Sequence, residues 1–143
     1  MYRFVDDVTV ADIAFEATGR DLPELLRDAG LAVTATMVSD VASVEPREER
    51  RLEVAGKDPE QLLHRFLSEV VYYKDAELLL FSAFDVEVRH EPGGRFEARV
   101  VARGEKLDAT RHEQVVDVKA VTWHRFAVEG VPAGWRAFVV LDI

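Results

Sequence analysis

The sequence predicts an α+β fold in which two helices pack on a mixed, largely antiparallel sheet. Two segments have helical periodicity, and both lie in the first half of the chain. After the second segment, apolar residues alternate with a period of two and turn residues separate the runs, which is typical of antiparallel strands. Two helical stripes are buried most simply against one face of a sheet, so we expect a single two-layer domain over residues 1–143.

Both predicted helices begin with the same signal, an aspartate followed closely by a proline and, three residues after the aspartate, by Glu or Gln. Asp21 opens the first helix and Asp58 the second, and a proline is tolerated in the first turn. We expect the first helix to end near Val38. The apolar stripes that follow the two caps are Leu22, Leu25, Leu26, Ala29 and Val33, and then Leu62, Leu63, Phe66, Leu67, Val70 and Val71.

Strands are predicted from alternating apolar residues that end at glycine or at turn sequences. Two strands precede the first helix, one that ends at Gly56 separates the helices, and the rest follow the second helix. The predicted strands cover residues 2–5, 10–18, 52–56, 78–90, 95–103, 115–128 and 135–143.

Composition narrows the functional classes. The chain has 143 residues, a formal net charge of −9 and no cysteine. The negative charge opposes binding to a polyphosphate backbone, so we expect no direct nucleic-acid binding. The lack of cysteine excludes disulfides, thiolate nucleophiles and cysteine-ligated metal sites. An acidic start and the lack of about twenty consecutive apolar residues argue against a signal peptide or membrane span, so we expect a cytoplasmic protein.

Several titratable residues could carry chemistry, but each also has a structural interpretation. His112 could act as a general acid or base in a loop, because such catalysis requires titrating groups within hydrogen-bond distance. The alternative, which we adopt, is a solvated charged loop. His124 lies on an apolar strand face, where a histidine is more often part of the core than a ligand. Lys119 is either a salt-bridged surface residue or a partner contact. The charged neighbours of His112 are Glu105, Lys106, Asp108 and Glu113.

The common catalytic motifs are absent from the sequence. It contains no GxSxG, no glycine-rich phosphate loop, no HExxH and no DxDxDG calcium loop. We therefore predict that the protein is not an enzyme with its own active site.

Two aspartates at strand ends suggest a metal site. Asp12 begins one predicted strand and Asp142 ends another, each on the face opposite to the apolar residues. If these strands are antiparallel neighbours, the two carboxylates and the α-carboxylate of Ile143 lie together. Three crowded carboxylates are relieved by protonation or by a cation. Oxygen ligands suit Ca²⁺ or Mg²⁺. In this interpretation Ile143 packs its side chain into the core so that its carboxylate can be a ligand. The alternative is that Asp12 and Asp142 are ordinary exposed aspartates at strand ends.

Several segments together resemble the archease family, over essentially the whole chain. They are TVADIAFEATG, FLSEVVYYKDAE, FSAFDVEV, GEKLD with His112 four residues later, VKAVTWH and the terminal VVLDI. One departure is visible: many archeases have His-Thr before the Ala-Asp, where this chain has Thr9 and Val10 after what looks like a short insertion at residues 6–8.

The resemblance implies an accessory protein. Archeases assist the GTP-dependent RNA ligase of tRNA splicing by promoting its guanylylation and its multiple turnover. The family's metal ligands match Asp12, Asp142 and Ile143, with Ca²⁺ the most suitable ion and Mg²⁺ or Mn²⁺ as alternatives, and Lys119 matches a further functional position. Two other functions remain open: a small metal-dependent phosphoesterase or hydrolase that uses His112 or His124, and a chaperone-like protein-binding module.

Overall fold

Two antiparallel sheets and two long helices make up the computed structural model of the chain, which describes residues 1–5 and 12–143. The predicted α+β fold is confirmed. In chain order the elements are β1 (Tyr2–Val5), β2 (Asp12–Gly19), α1 (Leu22–Met37), β3 (Glu48–Gly56), α2 (Pro59–Glu77), β4 (Leu79–His90), β5 (Phe96–Lys106), β6 (Ala120–Val121), β7 (Ala127–Val131) and β8 (Gly134–Asp142), with a short 3₁₀ turn at Val41–Ser43.

The strands divide into two sheets. The larger has the order β1-β2-β8-β6, with β7 also paired to β8, and the smaller has the order β3-β5-β4. Every pairing between the described strands is antiparallel, so the mixed sheet in the prediction has no parallel component there. Consecutive antiparallel strands need only short connections, and this agrees with the turn sequences between them.

The helices begin where the caps predict. The carboxylate of Asp21 accepts a hydrogen bond from the Glu24 N–H at 2.9 Å, and that of Asp58 accepts one from the Gln61 N–H at 2.8 Å. Each bond satisfies a backbone donor that has no partner within the helix. Helix α1 ends at Met37, as predicted, because Val38 already has extended backbone dihedrals.

Helix α1 is the centre of the fold. It packs on β2 of the large sheet and on β4 of the small one, while α2 packs on β3, β4 and β6. The core is one contiguous cluster whose largest buried side chains include Phe15, Phe66 and Phe81. The helices therefore join the two sheets through a shared core. Neither described helix is long and apolar enough to cross a membrane.

The predicted strand 115–128 is wrong over most of its length. Only the two residues of β6 and the start of β7 are strand, and a turn separates them. Arg125 has a φ of 54°, a left-handed conformation that cannot continue a strand, and its guanidinium lies 4.6 Å from the Phe138 ring centroid. His124 is exposed in this turn, so the expectation that it belongs to the core is also wrong.

A bulge in β4 requires a glycine on the neighbouring strand. The register between β4 and β5 shifts between Phe81 and Ala83, and Gly104 is paired with Phe81 at that point. A Cβ atom on Gly104 would lie 1.7 Å from the carbonyl oxygen of Leu80, so the two backbones approach more closely than any side chain allows. The next residue, Glu105, takes part in the buried network described below.

We predict that Gly104→Ala lowers the free energy of unfolding by about 1–3 kcal/mol, because the methyl group forces the two strands apart. Gly94→Ala is the matched control: a Cβ atom there meets nothing within 4 Å, and its effect should stay within about 0.5 kcal/mol. Urea denaturation of the two variants and the native chain measures both values. Equal stability of Gly104→Ala and the native chain would show that the strands can separate without cost.

Candidate functional site

Asp12 and Asp142 lie directly opposite each other on neighbouring strands. Strands β2 and β8 are antiparallel, as the sequence analysis assumed, and their register pairs Asp12 with Asp142. Residues directly opposite in such a pair point to the same face, with Cβ atoms about 4.5–5.5 Å apart. Two like charges directly opposite each other oppose the pairing of the strands.

The other face of the same two strands is largely buried. Phe15 of β2 is paired with Val139 of β8, and both side chains have no exposed surface. Leu141 is also completely buried, and the Ile143 side chain packs against the core cluster. The strand ends that carry the two aspartates are therefore held by core packing. The carboxylates start from a fixed backbone rather than from a fraying terminus.

Lys119 lies next to Asp142 on the far side of β8. Ala120 is paired with Asp142, and the Lys119 N–H donates a hydrogen bond to the Asp142 carbonyl oxygen at 2.8 Å. The backbone of Asp142 is thus held between β2 and β6. The structure brings together the backbone positions of Asp12, Asp142 and Lys119, all of which the sequence analysis singled out. The Lys119 side chain is exposed.

The side chains of Asp12 and Asp142 offer oxygen donors at this edge. Within residues 1–5 and 12–143, no three side chains of His, Cys, Asp and Glu are grouped so that they could hold a metal ion. Two aspartates lie opposite each other there. Carboxylate oxygens in general suit a hard cation such as Ca²⁺ or Mg²⁺, whereas Zn²⁺ prefers nitrogen and sulfur. The positions Thr9 and Val10, and the insertion at residues 6–8, lie outside the described residues.

The interpretation of the His112 segment as a solvated loop is wrong. Glu105 is 4% exposed and His112 is 2% exposed. The Asp108 N–H donates to His112 Nδ1 at 2.9 Å, so this nitrogen carries no proton. The proton is therefore on Nε2, which donates to Glu105 Oε1 at 2.8 Å. Both ring nitrogens are engaged inside the protein.

Cations and backbone donors surround the Glu105 carboxylate. It accepts a hydrogen bond from the Glu45 N–H at 2.9 Å, forms an ion pair with Arg111, and lies 3.6 Å from Arg47 Nε. Burial would raise the pKa of Glu105, but the Glu45 N–H, Arg111 and His112 stabilise the charged form and lower its pKa to about 2. An ionised acceptor and a neutral histidine fixed in this way indicate a structural junction and not an acid–base pair.

Two polar side chains of α2, His64 and Lys74, were missed by the sequence analysis. His64 Nε2 lies 2.9 Å from the Val121 carbonyl oxygen, and Lys74 Nζ lies 2.6 Å from the Val118 carbonyl oxygen. Lys74 is only 6% exposed. The available signal was their spacing, because residues 64, 67, 71 and 74 fall on one face of a helix and the middle two are apolar.

Comparison with known proteins gives consistent matches over the whole chain. Residues 2–143 match the model of the Archease protein family. "Protein archease" of Archaeoglobus fulgidus is 41% identical over 142 residues, which cover 99% of this chain and 98% of the relative. "Protein archease" of Sulfurisphaera tokodaii is 38% identical over 143 residues, which cover all of both chains.

Two solved structures share the fold. The solution structure of Methanobacterium thermoautotrophicum protein 1598 has a TM-score of 0.85 and 37% sequence identity, and the match covers 99% of this chain and 98% of that one. The crystal structure of an archease from Thermotoga maritima, described as a possible chaperone, has a TM-score of 0.61 and 18% identity, with 94% and 93% covered. The second match supports the fold alone.

We predict a loss of stability in acid that depends on Glu105. Because its pKa is lower in the folded chain than the ordinary value of 4.5, the stabilisation is fully present above pH 4.5 and is lost as the pH falls toward about 2. Thermal unfolding of the native chain and of Glu105→Gln, measured between pH 7 and pH 2.5, should give curves that converge as the pH falls.

The control for this experiment is Glu113→Gln, which removes the charge of an exposed neighbour. Its melting temperature should follow the native curve at every pH. A constant difference between Glu105→Gln and the native chain from pH 7 to pH 2.5 would show that ionisation of Glu105 does not stabilise the fold.

Proposed function

Because this chain belongs to the archease family, we propose that it is a cytoplasmic accessory protein that activates a GTP-dependent tRNA-splicing RNA ligase. We further propose that Asp12, Asp142 and Ile143 hold a divalent cation, Ca²⁺ in preference to Mg²⁺ or Mn²⁺. The observation that carries the metal proposal is the register that places Asp12 opposite Asp142. The Thermotoga maritima archease is described as a possible chaperone, which is compatible with an accessory role.

The positions of the residues support the roles proposed for them. The two aspartates supply carboxylate oxygens from strands that the core holds in place, and Ile143 would add its α-carboxylate beside them. A bound Ca²⁺ supplies a hard positive charge that neutralises these groups and leaves further oxygen positions open to a partner. The exposed Lys119 lies beside Asp142, where it can contact a partner that approaches the same edge.

Electrostatics favour a basic partner. The net charge of −9 attracts a protein that presents a positive surface. A ligase that holds RNA requires a basic cleft, and complementary charge raises the rate of association more than the final affinity. The partner in this proposal is therefore the ligase itself, with no direct contact to nucleic acid and none to a membrane.

The hydrolase alternative has less support. A metal-dependent hydrolase would need a titrating group close to the carboxylates. His112 uses both ring nitrogens for Asp108 and Glu105, and His124 lies in the turn between β6 and β7. No observation on the described residues favours catalysis over assistance.

The direct test is the guanylylation of the ligase. Purified ligase, GTP and Ca²⁺ or Mg²⁺ are incubated with and without this protein, and the guanylylated ligase and joined RNA ends are measured. We expect more guanylylated ligase and repeated turnover only when this protein is present. Hydrolysis of RNA ends or nucleotides by this protein alone would identify a hydrolase, and protection of the ligase from aggregation without added guanylylation would identify a chaperone.

We predict that three changes impair calcium binding in the same way: Asp12→Asn, Asp142→Asn and a C-terminal extension. Extension moves the terminal charge by about 3.3 Å per residue and replaces it with a peptide carbonyl. Loss of a residue that only hydrogen-bonds to a metal ligand typically weakens metal affinity by roughly 10- to 100-fold. Each of these changes removes a ligand itself, so each should weaken calcium affinity by more than that. Because all three act on one ion, the double variant Asp12→Asn/Asp142→Asn should lose less than the sum of the single losses.

Isothermal titration calorimetry measures the affinities, and ligase stimulation measures the consequence. Glu53→Gln is the control, since it removes one acidic charge from an exposed position on the small sheet. A C-terminally extended chain that binds calcium and stimulates the ligase like the native chain would remove Ile143 from the site.

We predict that Lys119→Ala reduces ligase stimulation while the free energy of unfolding changes by no more than about 0.5 kcal/mol, the usual limit for an exposed side chain. Its backbone hydrogen bond to Asp142 does not depend on the side chain. Dose–response curves of stimulation, beside urea denaturation, separate the two effects. Lys57→Ala, at another exposed lysine, is the control. Full stimulation by folded Lys119→Ala would make this lysine an ordinary surface residue.

A further inference from the structure

The segment between β5 and β7 has little regular structure of its own, yet it borders the proposed metal site. Only Ala120 and Val121 form strand in this segment. On one side, its Lys119 and Thr122 N–H groups donate to the carbonyl oxygens of Asp142 and Val140 on β8, at 2.8 and 3.0 Å. Among the strands of residues 1–5 and 12–143, β6 is the last in its sheet, so carbonyl groups on its other side have no described strand to pair with.

Helix α2 supplies the partners that a neighbouring strand would otherwise provide. Lys74 Nζ donates to the Val118 carbonyl oxygen at 2.6 Å, and His64 Nε2 lies 2.9 Å from that of Val121. A carbonyl only accepts, so Nε2 of His64 carries the proton. The two contacts fall on either side of Lys119 and Ala120, the residues that adjoin Asp142.

The amine of Lys74 uses all of its hydrogen-bond donors on this segment and on neighbouring carboxylates. It also donates to Asp117 Oδ1 at 2.7 Å and forms an ion pair with Asp75, so its three protons have three acceptors. Burial lowers the pKa of Lys74, but the hydrogen bonds to Asp117 and Asp75 outweigh this and raise the pKa above its ordinary value. Lys74 is therefore charged at neutral pH.

His64 is fixed by ring contacts as well as by its hydrogen bond. Its ring stacks on Trp123 with centroids 3.8 Å apart and an interplanar angle of 7°, and it meets the edge of Phe126 at 5.2 Å. Burial lowers the pKa of His64, and the bond to Val121 opposes this only in part. The ring contacts and the hydrogen bond together hold the ring in the orientation that reaches Val121.

We propose that Lys74 and His64 are positioning residues that clamp the Val118–Val121 segment from α2 and thereby hold Lys119 and Asp142 in place. This inference rests on the proposed function of the carboxylate site. Asp142 lies at the end of a strand, where backbone usually frays. Ligands must be held within a fraction of an ångström for tight metal binding. Pairing with β6, in addition to β2, therefore helps to hold the backbone of Asp142 at the strand end.

The test compares variants that remove a donor with variants that keep one. Lys74→Met and His64→Leu remove the donors, whereas His64→Gln retains an amide N–H that can reach Val121. Lys106→Met is the matched control, because this exposed lysine also donates to a backbone carbonyl, Glu77 at 3.3 Å, outside the clamp. All variants are compared with native protein by amide hydrogen exchange, calcium calorimetry and ligase stimulation, and thermal unfolding identifies any variant that does not fold.

We expect the Lys119 and Thr122 amides to exchange faster in Lys74→Met and His64→Leu, while amides in the middle of β2 and β8 keep their protection. Calcium affinity should fall by about tenfold, the low end of the range for partners that orient a metal ligand. The concentration for half-maximal ligase stimulation should rise, with the same maximum at saturating calcium. His64→Gln and Lys106→Met should resemble the native chain, which a general loss of stability in α2 would not produce.

The outcomes separate this inference from the proposed function. If the native chain neither binds calcium nor stimulates the ligase, the proposed function is wrong, and the inference that Lys74 and His64 position a metal site is wrong with it. If the native chain does both and folded Lys74→Met and His64→Leu match it in amide exchange and affinity, the clamp alone is overturned. If Lys74→Met does not fold, the His64 pair decides, and equal losses in His64→Leu and His64→Gln would refute the role of the hydrogen bond.

Discussion

The antiparallel pairing of β2 with β8 is the interaction on which the rest of the molecule depends. One face of the pair supplies completely buried side chains such as Phe15, Val139 and Leu141, and the other face carries Asp12 opposite Asp142. The burial of apolar surface on one face is what keeps two like charges adjacent on the other. A shift of one residue in register would exchange the faces, so packing and the proposed site select the same register.

Helix α1 transmits this arrangement to the second sheet. Most of its residues are buried, and the Thr34 hydroxyl donates to the Phe81 carbonyl oxygen at 2.7 Å where the β4 bulge begins. Gly30 lies against the ring of Phe84, where a larger residue would push the helix away from β4. One helix thus positions both sheets. Glu105 lies near the end of β5 in the small sheet, where the segment that leads to Lys119 begins.

Side chains hold that segment in addition to its backbone hydrogen bonds with β8 and with Met37 and Ser39. Its first part is fixed at the buried junction of Glu105 and His112, and its last part by Lys74 and His64 of α2. Buried polar groups are costly unless every partner is present. No buried side-chain nitrogen or oxygen lacks a hydrogen-bond partner in the described residues, so the polar groups that leave water are compensated by defined contacts. Such contacts specify a single path for a chain that has little secondary structure.

The sequence alone determined the elements whose causes are local. The caps at Asp21 and Asp58 and the alternation in β2 and β8 act over a few residues, so they predicted both helices and the α+β class. The juxtaposition of Asp12 and Asp142 followed only if β2 and β8 are antiparallel neighbours, and the tertiary structure supplies that pairing. Only the tertiary structure decided the burial of His112, the short β6 and the roles of His64 and Lys74. Glu105 meets Glu45 across 60 positions of sequence and Lys74 meets Val118 across 44. Contacts over such separations depend on how the helices and sheets pack, and no local pattern of residues encodes them.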